Sequence, residues 1–370
     1  MVEPRIEKLA DLLVNYSVGV QPGDKVFIGG NTVAEPLLKS LYTEVLKAGG
    51  HPLITVRLPG VDELLFKYAS DEQLRHLPEP QKLVMETYDV LIQIQGDVNT
   101  KALSGVDPAR TVLQAQSQME LMTAILQRAA SGQLRWTGAP FPTNASAQDA
   151  EMSLNEYEDF VYGACLPDMD DPVGYWQRFS AWQQKIVDWL EGKERVHVVG
   201  PETDLHLSIA NRTFINCDGR RNMPDGEVFT GPVEDSIEGH VHFSYPLIYR
   251  GREVSDVRLW FEGGQVVKVT ADKNEDFLLK TLDTDGGSRR IGEFAIGTNE
   301  GITRFTRDIL FDEKMNGTFH MALGAGYPET GSKNVSAIHW DMICDLRNGG
   351  EIRVDDELLY KDGKFVIQFR

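Results

Sequence analysis

Cysteine is scarce in this chain, and the three residues present, Cys165, Cys217 and Cys344, show no CxxC spacing. Their odd number argues against a disulfide framework or a thiolate zinc site and fits a reducing compartment. Long hydrophobic runs are missing as well. No window reaches the roughly 18 apolar residues needed to span a bilayer. The opening stretch, MVEPRIEKLADLLVNYSVGV, carries charges among its apolar positions and lacks the apolar core of a signal peptide, so the sequence points to a cytoplasmic location. Positive charge is in short supply: 37 Lys and Arg face 56 Asp and Glu, a formal net charge of −19. That balance excludes a general phosphate-binding surface and makes nucleic acid a poor partner. Familiar signatures are absent too. Gly29-Gly30-Asn31-Thr32 is neither GxGxxG nor a P-loop, no GxSxG elbow occurs, and no cysteine has a papain or caspase context.

What is present is the composition of an ordinary globular protein, 370 residues with 41% hydrophobic and 25% charged positions, enough for two or three domains. Ile6, Leu9, Leu12, Leu13 and Tyr16 recur at helical spacing. A turn at Gln21-Pro22-Gly23-Asp24 leads into a strand over 25–30, a helix over 34–49 closed by Gly49-Gly50, and a strand over 52–58. Further strands are expected at 90–95 and near 134–138, with helices over 108–131 and 147–162. Strands alternating with helices of this length imply a largely parallel sheet. Helical periodicity runs through 176–189 and stops at Glu191-Gly192-Lys193; beyond it come many short β-rich runs, with a hairpin turn at Gly263-Gly264 and one helix near 274–284. The fold class is therefore α/β: an N-terminal domain over 1–194 with a largely parallel sheet, and a strand-rich α+β domain over 195–370.

The polar residues of the second half carry the chemistry. Glu227, Glu293, Glu313, His320, His339 and Asp341 each lie in or beside a strand-like or Gly-bounded segment. Oxygen and imidazole donors without thiolates suit Zn²⁺, Co²⁺, Mn²⁺ or Fe²⁺. Four carboxylates exceed what one zinc ion needs and point to two metals sharing a bridging carboxylate. In Ile338-His339-Trp340-Asp341-Met342, strand alternation puts His339 and Asp341 on one face, about 7 Å apart, and the apolar residues on the other. The bland alternative is a solvated surface strand. His320 alternates with Phe319 and Met321, and Ala322 and Gly324 leave room beside its ring; it could equally be a core histidine. Glu293 interrupts the apolar strand 290–297, where a carboxylate needs a metal, a cation such as Arg289 or Arg290, or a raised pKa. Glu227 follows a Pro-Asp-Gly turn and Glu313 precedes Lys314, both also readable as solvated charges. His240 and His242, an HxH on one strand face, are set aside as half-exposed polar positions.

Four segments in this order resemble the M29 family of metalloaminopeptidases (the aminopeptidase T type): Asn222-Met223-Pro224-Asp225-Gly226-Glu227-Val228-Phe229-Thr230, Ile291-Gly292-Glu293-Phe294-Ala295-Ile296-Gly297-Thr298-Asn299, His320-Met321-Ala322-Leu323-Gly324 with Tyr327-Pro328, and Ile338-His339-Trp340-Asp341. Lys8-Leu9-Ala10 and Pro22-Gly23-Asp24-Lys25-Val26 extend the likeness over nearly the whole chain. The resemblance implies a two-domain homodimer that cleaves peptides bearing a free N-terminus, with two divalent ions of the zinc, cobalt or manganese type. It implies Glu227, Glu293, His320, His339 and Asp341 as ligands, Glu293 as the bridge and Tyr327 as an active-site tyrosine. Glu313 matches the family's upstream glutamate at a longer Glu–His spacing. Two other classes compete. His320, His339 and Asp341 alone would suit a mononuclear Fe²⁺ ring-cleaving dioxygenase, and a metal-stabilised binding module would need no turnover at all.

Overall fold

The computed structural model describes residues 3–249 and 252–367, without the side chains at 108, 119, 120, 122, 123 and 126. The chain forms two compact units, Met1–Tyr175 with Gly219–Pro224 and Trp176–Asp218 with Asp225–Arg370. In the first, β1 (Lys25–Asn31), β2 (His51–Arg57), β3 (Val90–Gln95) and β4 (Arg135–Pro140) make a parallel sheet in the order β2-β1-β3-β4. Val26, Ile28, Val90 and Ile92 are wholly buried, as expected of parallel strands covered by helices. The helices Glu35–Lys47 and Pro108–Ala130 fall where periodicity put them. The single helix expected over 147–162 is instead two, Asn144–Asp149 and Leu154–Cys165. Ser153 and Glu156 form a reciprocal capping box, which starts the second helix afresh. The helices Val61–Tyr68, Asp71–Leu74 and Glu79–Thr87 were not anticipated. Each buries a single residue, Phe66, Leu74 and Val84, so no apolar stripe marks them in the sequence. No helix among the described residues is long and apolar enough to cross a membrane.

The second unit begins with the helix Pro172–Leu190 near its boundary and continues as strands. These are β5 (Arg195–Gly200), β6 (Thr203–Ser208), β7 (Ile215–Cys217), β8 (Glu227–Thr230), β9 (Glu238–Phe243), β10 (Leu247–Tyr249), β11 (Arg252–Val254), β12 (Val257–Glu262) and β13 (Gln265–Thr270). After the helix Glu275–Leu282 come β14 (Ile291–Gly297), β15 (Thr318–Gly324), β16 (His339–Asp345), β17 (Glu351–Val354), β18 (Glu357–Lys361) and β19 (Lys364–Phe365). An eight-stranded antiparallel sheet has the order β13-β12-β9-β6-β5-β17-β18-β19, and β12 and β13 join through Gly263-Gly264 as expected. A five-stranded antiparallel sheet has the order β16-β15-β14-β8-β7.

Alternation divides the five-stranded sheet into two chemically distinct faces. Val228, Phe294, Ile296, Phe319, Met321, Leu323, Trp340 and Met342 share one buried core with Val198, Leu205, Val241 and Leu259 of the larger sheet. The other face carries Glu227, Glu293, His320, His339 and Asp341. One irregularity makes that division possible. The register of β14 against β15 shifts between Ile291 and Glu293, a bulge at Gly292 that keeps Ile291 in the core and turns Glu293 to the polar face. Only glycine fits there, since a Cβ on Gly292 would lie 2.1 Å from the Ala325 carbonyl oxygen.

Candidate metal centre

Register brings the sequence-distant donors together. Glu293 stands opposite Ala322, and Ala322 opposite Asp341, so two carboxylates flank a methyl group across three strands. Two residues further along β14, Ala295 faces His320, and two beyond that Gly297 lies opposite Glu227. The small residues at 295, 297 and 322 leave the space that the larger donors occupy. Glu313 closes the helical turn Ile309–Asp312, which Asp312 pins by accepting from the Thr306 N–H (2.7 Å) and hydroxyl (2.8 Å). All six acidic and imidazole residues singled out in the sequence meet in this one region. They form three overlapping sets of donors: Glu227, Glu293 and His320; Glu293, His339 and Asp341; Glu313, His320 and Asp341.

The separations have a consistent scale. His320 Nε2 is 3.3 Å from Glu227 Oε2 and 3.6 Å from Glu293 Oε1, while His339 Nε2 is 3.3 Å from Glu293 Oε2 and 3.4 Å from Asp341 Oδ1. Donors about 2.0–2.1 Å from a tetrahedral zinc stand about 3.3 Å apart, so the spacing fits atoms around a shared cation. The two oxygens of Glu293 divide between the two imidazoles. His339 Nδ1 lies 2.8 Å from the Ala325 carbonyl, which only accepts; Nδ1 therefore carries a proton, and Nε2 is the nitrogen directed at Glu293, Asp341 and any cation they share. Glu227 Oε2 and His320 Nδ1 are buried without a hydrogen-bond partner among the described residues. An unsatisfied buried polar atom costs about 1–3 kcal/mol, a debt that cation binding at this cluster would reduce.

Electrostatics point the same way. Burial raises Glu227 to about 8 in spite of Lys314. Burial also works against protonation of His320, yet Glu293 and Glu227 lift it to about 9. For Glu293, the desolvation that would raise its pKa is outweighed by His320 and His339, leaving it below the ordinary value. Arg289 and Arg290, the alternative partners for Glu293, are engaged elsewhere, with Asp283 (2.7 Å) and the Glu234 carbonyl (2.7 Å). Glu227 and Glu313 are not surface charges. Glu227 is 6% exposed, and Glu313 contacts the fully buried Lys314, whose ammonium is also 3.8 Å from Glu227 Oε1. Lys314 is the residue that sequence reasoning missed, because a Glu-Lys dipeptide reads as a solvated pair.

Tyr327 packs edge-on against His339 and Phe229, each at 5.2 Å between ring centroids. Burial first, and then the surrounding carboxylates, raise its phenol well above the ordinary range, so it is a proton donor at neutral pH. His240 and His242 lie on β9 in the other sheet, where His242 meets Asp256 at 2.7 Å, apart from the cluster.

Comparison with known proteins adds an independent line. Aminopeptidase 2 of Geobacillus stearothermophilus is 26% identical over 408 aligned residues, covering 100% of this chain and 97% of that protein. Aminopeptidase T of Thermus thermophilus is 28% identical over 97% of this chain and 95% of its own length. Among solved structures, wild-type AmpT from Thermus thermophilus superposes with a TM-score of 0.86 at 23% identity, covering 98% of this chain and 99% of that one. The 2,5-dihydroxypyridine dioxygenase of Pseudomonas putida KT2440 has the same fold at lower similarity, with a TM-score of 0.63, 14% identity and coverage of 100% and 99%. The family model described as thermophilic metalloprotease (M29) matches residues 2–365, which include every strand bearing a donor. The chain belongs to the M29 family of metalloproteases.

Proposed function

We propose that Glu227, Glu293, Glu313, His320, His339 and Asp341 hold two divalent ions of the zinc, cobalt or manganese type, with Glu293 between them. Family membership makes the chain a metal-dependent aminopeptidase, a hydrolase of peptide bonds. The observation that carries the dinuclear reading is the division of Glu293, with one oxygen toward His320 and the other toward His339. Bound there, the ions would polarise the scissile carbonyl and provide a nucleophile at neutral pH.

Ions held here would also bind the lone pair of a free α-amine, which an N-acetylated peptide cannot offer. The chain's own groups supply the rest. A carboxylate, most simply Glu293, which is held ionised, or else a neighbour outside the ligand set, would take the proton released by the attacking water. The Tyr327 hydroxyl, protonated at neutral pH, donates to the oxyanion that develops on the substrate carbonyl. The same reading takes the protein as a cytoplasmic homodimer, with an N-terminal domain over 1–194 and a catalytic domain over 195–370. Three cysteines outside any disulfide, two of them buried, suit a reducing compartment, and the net charge of −19 disfavours nucleic acid. The dioxygenase alternative uses only His320, His339 and Asp341; it leaves Glu227, Glu293 and Glu313 without a role, and the dioxygenase structure shares the fold alone.

The test is a panel of aminoacyl-coumarin substrates, assayed as purified, after chelation, and after adding back Zn²⁺, Co²⁺, Mn²⁺ or Fe²⁺. Metal-restored cleavage of unblocked but not N-acetylated substrates, at two ions per chain, is expected. One iron per chain with oxygen uptake on a phenolic substrate would refute it.

A further inference from the structure

β16 is the edge of its sheet, and its open side borders a cavity of about 230 Å³. Leu247, Tyr249, Phe305, Ile309 and Ile343 give the cavity an apolar lining, and His339 and Asp341 form the wall next to the ligand cluster. No residue of β15 lines it, so it lies on the side of β16 away from the sheet. The ladder fixes where the backbone of β16 points. Ala325 N donates to Ile338 O and Leu346 N to Gly317 O, so residues 340, 342 and 344 bond toward β15. The N–H and C=O groups of Asp341 and Ile343 therefore turn outward, and no described residue bonds them. An apolar recess with unmatched main-chain donors and acceptors beside it is built for part of a peptide.

We propose that this cavity receives the side chain of the substrate's N-terminal residue and selects bulky apolar side chains, such as leucine, methionine and phenylalanine, over alanine, lysine and arginine. The inference rests on the aminopeptidase reading. In an aminopeptidase, the amine and the scissile carbonyl of the first residue both lie at the ligand cluster, and its Cα is one bond from each. Its side chain therefore departs next to the cluster, and the recess that opens beside His339 and Asp341 is apolar. The volume suits one large side chain rather than a drug-sized ligand. A lysine or arginine would carry its charge among mostly apolar walls and toward Arg307, while Asp312, which also lines the recess, is engaged by the N–H and hydroxyl of Thr306.

Ile309 is the residue to change, since it lines the recess, is 44% exposed and ligates nothing. Leucyl-, phenylalanyl-, alanyl- and lysyl-coumarin substrates give kcat/KM ratios for wild type, Ile309→Trp and Ile309→Ala. Binding of leucinamide and alaninamide to the metal-loaded proteins, by calorimetry, gives a readout without turnover. Wild type is expected to favour leucyl over alanyl by at least about tenfold. Ile309→Trp should collapse that ratio by about tenfold, and Ile309→Ala should raise phenylalanyl relative to leucyl. Ratios unchanged within twofold in both variants, or a wild-type preference for lysyl, would overturn the pocket while leaving the aminopeptidase reading intact. Selective leucinamide binding, abolished by Ile309→Trp, in a protein that cleaves nothing would support the pocket and sink the hydrolase.

Discussion

Replacing Lys314 with methionine removes a charge from the centre while keeping the length of the side chain. Lys314 is fully buried, touches Glu313 and stands 3.8 Å from Glu227 Oε1. At an effective dielectric of about 20, a pair at that distance is worth about 4 kcal/mol. That agrees with the roughly 3–5 kcal/mol lost when one partner of a buried pair is removed. In chelated protein at about pH 9, where Glu227 is ionised, the four carboxylates have no other lysine or arginine beside them among the ion pairs described, so the variant should lose close to the full amount. On the scale of a 150–250-residue cooperative unit, that is a fall in Tm of roughly 8–16 °C. With divalent ions bound, their positive charge takes over the work of the ammonium, and the loss should shrink to about 1 kcal/mol. Reciprocity then requires that Lys314→Met bind metal more tightly by about 3 kcal/mol, roughly a hundredfold. Scanning calorimetry with and without chelator, together with a metal titration against a competing chelator, measures both halves of the cycle. Equal destabilisation in the two states, or weaker metal binding by the variant, would refute the electrostatic account and make Lys314 a packing residue.

Gly292→Ala should cost at least about 2 kcal/mol and lower activity, because its Cβ would push on the Ala325 carbonyl that holds His339; wild-type stability and turnover would contradict this. Asp285 accepts from the Ala337 N–H (2.7 Å), with Ser336, Gly287 and Ser288 adding further hydrogen bonds, and its carboxyl is held down to about 2. Its unfolded value is about 3.9, so its stabilisation is complete above about pH 4 and is lost as pH falls through the folded value of about 2. Asp285→Asn should therefore be less stable by about 1 kcal/mol at pH 7, allowing for solvent screening, and the difference should close by about pH 2; urea melts showing a pH-independent gap would reject it. Glu293→Gln should remove activity and metal occupancy with the fold intact by circular dichroism, and full turnover would end its assignment as the bridge. Tyr327→Phe should lower kcat by roughly a hundredfold with metal content unchanged; loss of metal would make Tyr327 structural.

Much of this was legible in the sequence, for identifiable reasons. His339 and Asp341 stand out because alternation with Trp340 and Met342 survives any tertiary context. Glu293 stands out because a carboxylate among Ile291, Phe294 and Ile296 has to be explained. What the linear chain hides is register. Nothing in residues 290–297 announces that the strand bulges at Gly292, yet without the bulge Glu293 would point into the core with Ile291. The split of the helix expected over 147–162 was available in Ser153 and Glu156, whose capping-box spacing outranks periodicity there. Lys314 was not available, since its burial depends on Glu227 arriving from a distant strand to meet it. The recess beside β16 is equally tertiary, because its walls come from three stretches between Pro246 and Ile343.

The donors lie on four strands and the turn that ends at Glu313, spread from Glu227 to Asp341, and only His339 and Asp341 are close neighbours in the chain. From these donors a nascent polypeptide therefore offers no ready chelate beyond that pair, and premature capture of a more strongly binding ion such as copper gains little hold on the centre. The full set of ligands exists only once β8, β14, β15 and β16 have found their register, so the choice of ion falls to the finished fold, and loading the centre is the last act of maturation.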